Sequence, residues 1–180
     1  MYKRQHITLD FDEAMKGCTK TLRVNRPDGS TERIEVKIPP GVREGSKIRL
    51  RGKGGSSGYR GKRGDLYLVV HVREHPYFRR EGSDIYIDVP ISITEAALGT
   101  KVTVPTIDGK AIVTIPPGTS SGTKLRLRGK GVIDPKTKTR GDQYVVIKIV
   151  PPKSISQKGK ELLEQLDKTE PYNPREGLPW

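Results

Sequence analysis

The chain carries one segment twice. Ile38-Pro39-Pro40-Gly41-Val42-Arg43-Glu44-Gly45-Ser46-Lys47-Ile48-Arg49-Leu50-Arg51-Gly52-Lys53-Gly54 returns 77 residues later as Ile115-Pro116-Pro117-Gly118-Thr119-Ser120-Ser121-Gly122-Thr123-Lys124-Leu125-Arg126-Leu127-Arg128-Gly129-Lys130-Gly131. Each copy runs on to a Gly-Asp pair, Gly64-Asp65 and Gly141-Asp142, which opens an apolar stretch. A repeat of this period in 180 residues points to two small related β modules in tandem rather than one large core. Modules of roughly 75 residues bury only about 60% of their unfolded surface. They therefore lean on each other or on a partner chain.

Hydrophobic residues make up 32% and aromatics 6% of the chain, so the cores must be thin, built from Ile, Val and Leu on one face of each sheet. The net charge of +13 suits acidic partners such as nucleic acid, anionic membrane or acidic peptide, and equally serves as a device for solubility. The single cysteine, Cys18, excludes an intramolecular disulfide and a cysteine-based zinc site, and reads as a small half-buried residue after a turn. The first residues do not form a signal-peptide core, and no apolar run approaches the ~20 residues needed to span a bilayer. The expectation is a soluble, cytoplasmic protein without a membrane partner.

Ile7 to Phe11, Thr19 to Asn25, and Ile34, Val36 and Ile38 alternate as half-buried strands do. A helical turn over Asp12–Lys16 is expected to end at Gly17 in a left-handed cap. Arg26 to Ser30 reads as a turn, Lys47 to Arg51 as a short strand and Gly52 to Gly64 as a mobile basic loop, with Leu66 to Val72 closing the first module. The second half predicts strands at Ile85–Val89, Lys101–Val104, Ala111–Ile115, Lys124–Arg128 and Gln143–Val150. Its helical turn falls on Thr94–Leu98, and Asp108-Gly109 signals a compact hairpin. Ser156 to Lys168 places Leu162, Leu163 and Leu166 at helical spacing. The expected division is 1–80, 81–152 and 153–180.

Reactive constellations are missing from the sequence. There is no Gly-x-Ser-x-Gly elbow, no His-Glu-x-x-His and no phosphate-binding loop with Gly-Lys-Ser/Thr. His6, His71 and His75 are not spaced like metal ligands, and Asp65 and Asp142 follow glycine where turn hydrogen bonding is expected. The reading is a binding protein without catalysis, cofactor or metal.

Three features carry binding chemistry. The doubled Arg-Leu-Arg-Gly-Lys-Gly presents Arg51, Lys53, Arg128 and Lys130, with Lys62 and Arg63 in the first loop, either to phosphates or simply to solvent. Ile7, Leu9, Leu22, Val24 and Leu68, near Lys20, Arg23 and Arg33, form either an ordinary core or a shallow groove beside a free strand edge that accepts an extended peptide. The stripe of Leu162, Leu163 and Leu166, with Trp180 at the end of a Pro-rich tail, either folds back or forms a dimer seam.

An ordered set of segments carries a family likeness: Ile38-Pro39-Pro40-Gly41 with Arg51-Gly52-Lys53-Gly54, Gly64-Asp65-Leu66, His75-Pro76-Tyr77-Phe78-Arg79-Arg80, Glu95-Ala96-Ala97-Leu98-Gly99, Val104-Pro105-Thr106 and the second Ile115-Pro116-Pro117-Gly118. Over essentially its whole length the chain resembles the C-terminal substrate-binding region of DnaJ-type co-chaperones, of the zinc-free class and nearest the curved-DNA-binding-protein subgroup. The resemblance implies a mainly β fold of two tandem β-sandwich-like modules plus a short C-terminal helix that joins a homodimer. It also implies that unfolded client polypeptides are held and passed to a DnaK-type chaperone. Matched by position, the client groove falls on Ile7, Leu22, Val24 and Leu68. Cations for an acidic tail of the partner fall on Lys20 and Arg23. The J-domain with its His-Pro-Asp motif has no counterpart in this stretch, so the resemblance implies client holding and dimerisation without stimulation of ATP hydrolysis. The runner-up is binding of double-stranded DNA through the basic surface, as a nucleoid-associated protein. Divergence between the copies assigns client contact to the first module and assembly to the second.

Overall fold

Alternating apolar residues set the strands, and the strands come in the same order in both halves. The computed structural model describes residues 3–26, 29–55 and 64–179. The first half runs β1 (Lys3–Leu9), α1 (Phe11–Lys16), β2 (Cys18–Asn25), β3 (Thr31–Ile38), β4 (Lys47–Leu50) and β5 (Leu66–Val72). The second runs β6 (Phe78–Glu81), β7 (Asp84–Ile91), α2 (Ile93–Leu98), β8 (Thr100–Thr106), β9 (Gly109–Ile115), β10 (Lys124–Leu127) and β11 (Gln143–Ile149), and α3 (Gln157–Thr169) follows. The fold is mainly β with a C-terminal helix, as the sequence leads one to expect.

In each half the strand that leads into the short helix pairs in parallel with the last strand. β1 lies beside β5 with Ile7 opposite Val70, and β7 lies beside β11 with Val89 opposite Ile147. The segment after the Pro-Pro-Gly turn, β4 or β10, adds antiparallel to the same central strand. A separate antiparallel hairpin, β2–β3 or β8–β9, completes each module. Leu9, Leu66, Leu68 and Val70 from the sheet meet Val24, Ile34, Val36 and Ile38 from the hairpin in a buried apolar cluster that continues through Phe78, Ile85 and Ile87 into the second half. Burying each such side chain contributes about 1.5–3 kcal/mol. A thin core built from aliphatic residues on one face is what the composition requires.

The two short helices begin alike and end alike. At α2, Ser92 Oγ accepts the Glu95 N–H and Glu95 returns the bond to the Ser92 N–H, which satisfies two donors left over at the first turn. Gly17 and Gly99 follow the helices with φ +77° and +78° and ψ near 157°. That is an extended conformation at positive φ rather than the expected left-handed cap, and it belongs essentially to glycine alone. A Cβ at Gly17 would stand 2.8 Å from the Ile38 carbonyl oxygen. The glycine thus lets the start of β2 approach the end of β3.

β6 departs from the expected division at residue 80. Phe78 pairs with Ile87 and Arg80 with Ile85, so the segment is an edge strand of the second sheet. A strand of four residues with one buried member has no periodicity to reveal it. The β8–β9 hairpin closes with Thr106 opposite Gly109, as Asp108-Gly109 predicts. Most of the basic loop between Gly52 and Gly64, including Lys62 and Arg63, lies outside the described residues, as do Pro27-Asp28 of the first hairpin turn and Trp180.

The halves are strapped together by the segment before β6. His75 lies 5.2 Å from the Phe11 ring and 4.9 Å from Phe78, and its Nδ1 accepts the Phe78 N–H. The Arg80 guanidinium then donates to the carbonyls of Gly41, Val42 and Gly82 at 2.7–2.8 Å. Across the same junction Arg43 reaches Asp134 at 3.2 Å. Burial is the main cause holding the Arg80 guanidinium below its ordinary pKa, with Arg43 adding to it. An arginine cannot shed its proton in a protein, so the three carbonyls are what stabilise the charge.

Candidate peptide-binding site

The side chains of β2 divide cleanly between two faces. Cys18, Lys20, Leu22 and Val24 turn inward, while Thr19, Thr21, Arg23 and Asn25 face out. Leu22 is half-buried, Val24 is 7% exposed and Ile7 on β1 is 8% exposed. Leu9 and Leu68 have no exposed surface at all. Of the five residues read as a groove, Leu9 and Leu68 are therefore core residues that no peptide can touch, and Leu22 presents surface. Among the described residues β2 pairs only with β3. Its other edge offers backbone donors and acceptors of the kind an added strand uses.

Charge around this edge is distributed unevenly. Lys20, on the inner face beside Leu22, donates to Glu13 of α1. That hydrogen bond is the largest cause pulling the Glu13 carboxyl below its usual range and raising the Lys20 ammonium. Arg23 and Arg33 sit directly opposite each other on the outer face of the hairpin, both exposed. Like charges facing across a strand pair are unfavourable alone, so the pair favours an anion between or above it. The structure brings Arg23 and Arg33 together and places Lys20 on the other face. Burial pushes the Cys18 thiol up, which suits the packing role read from sequence.

The doubled basic segment proves to be held by its aspartates. Asp65 Oδ1 accepts the Gly52 N–H at 2.9 Å, and Asp142 Oδ1 accepts the Gly129 N–H at 2.7 Å. The Gly52 bond is the chief cause keeping the Asp65 carboxyl low, with Arg49 adding to it. Both aspartates lock the turn after β4 or β10, as the Gly-Asp spacing suggested. Of the cations read as DNA contacts, Lys53 is paired with Glu32 at 2.6 Å, Lys130 is half-buried, and Arg51 and Arg128 are exposed.

α3 starts where Ser156 Oγ accepts the Gly159 N–H and buries none of its residues. Leu162, Leu163 and Leu166 are 53%, 38% and 56% exposed. Between the halves lies a cleft of about 550 Å³, floored by Phe11, Met15 and Phe78 and rimmed by Arg43, Glu74 and Arg79. Tertiary structure also joins two histidines that their spacing separates, His6 and His71. Sequence reasoning missed this pair and the Arg80 strap because both depend on strand register. No helix among the described residues is long and apolar enough to cross a membrane.

Residues 4–152 match the family described as the DnaJ C terminal domain. The chain belongs to that family. A curved DNA-binding protein of Coxiella burnetii (strain RSA 493 / Nine Mile phase I) is 39% identical over 185 residues, covering 98% of this chain and 58% of that protein. The chaperone protein DnaJ of Parageobacillus thermoglucosidasius is 43% identical over 150 residues, 83% of this chain and 38% of that protein. DnaJ of Roseiflexus sp. (strain RS-1) is 46% identical over 136 residues, 76% and 37%. The chain thus spans little more than half the length of the first of these relatives and less than two fifths of the others. A DnaJ C-terminal domain is non-enzymatic, and the resemblance read from the Pro-Pro-Gly repeats is the family found.

Proposed function

We propose that the chain is the client-holding, dimerising part of a DnaJ-type co-chaperone, which binds unfolded polypeptides and hands them to a DnaK-type partner. The observation that carries this is the unpaired edge of β2 beside the half-buried Leu22. An extended client adds as a strand to that edge, its backbone bonding to β2 and an apolar side chain resting on Leu22, with Ile7 and Val24 beneath. Lys20, Arg23 and Arg33 supply charge for an acidic segment of client or partner. Leu22→Ser is expected to weaken binding of an extended apolar peptide about 5–10-fold, the loss of one anchor worth about 1–1.4 kcal/mol. Suppression of aggregation of a denatured model protein should fall with it. Unchanged peptide affinity in a Leu22→Ser protein that melts normally moves the site elsewhere.

Two chains join through α3 in this reading, because its leucines are uncovered on a single chain. Leu162→Ser with Leu166→Ser should convert a dimer to a monomer in light scattering and leave the thermal melt of the modules in place, since α3 buries none of its residues. A dimer that survives both changes puts the seam in another part of the chain.

A second reading, binding of duplex DNA, is favoured by the net charge of +13 and by the similarity to the Coxiella curved DNA-binding proteins. Exposed Arg51 and Arg128 are its contacts. Each phosphate neutralised should contribute a slope of about −0.9 to log K against log salt. Absence of duplex binding at low salt removes this reading.

A further inference from the structure

His6 on β1 and His71 on β5 meet across the outer face of the first sheet. His6 Nδ1 lies 2.8 Å from His71 Nε2. The ring planes differ by 11° and the centroids stand 5.1 Å apart. That separation is as wide as the N···N distance plus the two ring radii allows, so the two nitrogens point at each other within a nearly common plane rather than stacking face on face. On its far side His71 Nδ1 lies 2.6 Å from Glu44 Oε1, while Glu44 Oε2 accepts the Val72 N–H, also at 2.6 Å. These bonds, the backbone one foremost, keep the Glu44 carboxyl below its usual range. An ionised Glu44 holds the His71 proton on Nδ1 and leaves the Nε2 lone pair directed at His6.

The second module provides an internal comparison. Asp88 and Lys148 occupy the same register positions on β7 and β11 as His6 and His71 do on β1 and β5. There they form an ion pair of 2.6 Å, and Lys148 together with Arg79 brings the Asp88 carboxyl down to about 2, the Arg79 bond being the larger cause. The mate of Glu44 is Ser121, whose hydroxyl accepts the Ile149 N–H as Glu44 accepts that of Val72. A cross-strand tie and a backbone cap are thus met in the second module by groups with no facing lone pairs. The first module meets the same needs with two imidazoles and a carboxylate behind one of them, the arrangement that orients histidine toward metal ions.

We propose that His6 Nδ1 and His71 Nε2 bind a divalent transition-metal ion of the zinc class, with Glu44 as the positioning residue for His71. The ion takes the place of the proton shared between the rings. His6 then carries its proton on Nε2, so two lone pairs face the metal and the net protonation is unchanged. Zinc–nitrogen bonds of about 2.0–2.1 Å at a tetrahedral angle set the nitrogens about 3.3 Å apart, an opening of half an ångström that exposed rings make by rotation. Among the described residues no three His, Cys, Asp or Glu side chains converge as a cage. Water or a side chain of a bound polypeptide completes the coordination, and the ion exchanges with solution.

Titration of the 180-residue chain with zinc chloride tests this, followed by calorimetry and by the imidazole proton resonances. One saturable site is expected, with His6 and His71 shifting together and His75 unmoved. Importing the ion pair of the second module, as His6→Asp with His71→Lys, should keep the melting temperature and weaken zinc binding by at least about tenfold. His6→Gln should do the same if the double variant folds poorly. Glu44→Gln should weaken binding about tenfold or more, the usual effect of losing the group behind a metal-bound histidine, and should make affinity more dependent on pH. Equal zinc affinity in the double variant or His6→Gln, ring resonances that do not move, or no saturable binding overturns the proposal.

Discussion

Gly41→Ala is expected to destabilise the protein by about 3 kcal/mol or more, whereas Gly118→Ala, at the matching position of the repeat, should cost about 1–2 kcal/mol. Both glycines sit at positive φ, +82° and +74°, and both donate their N–H to the helix of their own module. The backbone penalty for a side chain is therefore common to the two. What differs is the space. A Cβ on Gly41 would fall 1.9 Å from the Ile133 carbonyl oxygen and 3.2 Å from Pro135 Cδ, both in the second module, while a Cβ on Gly118 meets nothing within 4 Å. Neither neighbour is a flexible side-chain end that can swing aside. The junction must separate, taking the Arg43–Asp134 pair and the Arg80 bonds with it. Chemical denaturation of both variants beside the parent measures the difference. Equal losses at the two positions show that the junction yields without cost.

Arg80→Met is expected to cost about 2–4 kcal/mol by the same measurement, although it retains a long apolar stem. The loss arises because the Gly41 and Val42 carbonyls at the junction lose their donors together and Gly82 loses a third bond. Arg80→Lys should recover little of this, since one ammonium cannot span carbonyls that a planar guanidinium reaches at once. Gly41 and Arg80 touch directly, so their effects should not add. The double variant should be destabilised by clearly less than the sum. Additive losses indicate that the strap and the close approach at Gly41 are independent.

Much of the frame was legible because it depends on local pattern. Alternation at Ile34, Val36 and Ile38 placed β3, Asp108-Gly109 placed the tight hairpin, and the spacing of Leu162, Leu163 and Leu166 placed α3. The repeat itself announced two modules, and the Gly-Asp pairs announced turn locks. What escaped depends on which strands become neighbours. β6 is too short for a period and joins a sheet that begins after it. Leu9 and Leu22 look alike in sequence, yet the parallel pairing of β1 with β5 encloses one and the free edge of β2 leaves the other half-exposed. Lys20 and Arg23 are three residues apart, and in a strand an odd spacing puts them on opposite faces. His6 and His71 stand 65 residues apart, and only register could bring their nitrogens together.

The parallel pairing has a consequence for how the chain emerges during synthesis. β1 is made before its partner β5, which follows only after β2, β3 and β4, with Lys3 finally set against Leu66. Until then the apolar face of β1 has no strand beside it, although the β2–β3 hairpin can form from neighbouring residues alone. The second module differs, since β7 pairs with the preceding β6 as soon as both are made and waits only for its parallel partner β11. Each half therefore closes with its own last strand, in N-to-C order, and long-range closure of this kind is slow compared with hairpin formation. A protein read here as a holder of unfinished polypeptides must itself pass through an interval in which β1 is unpaired.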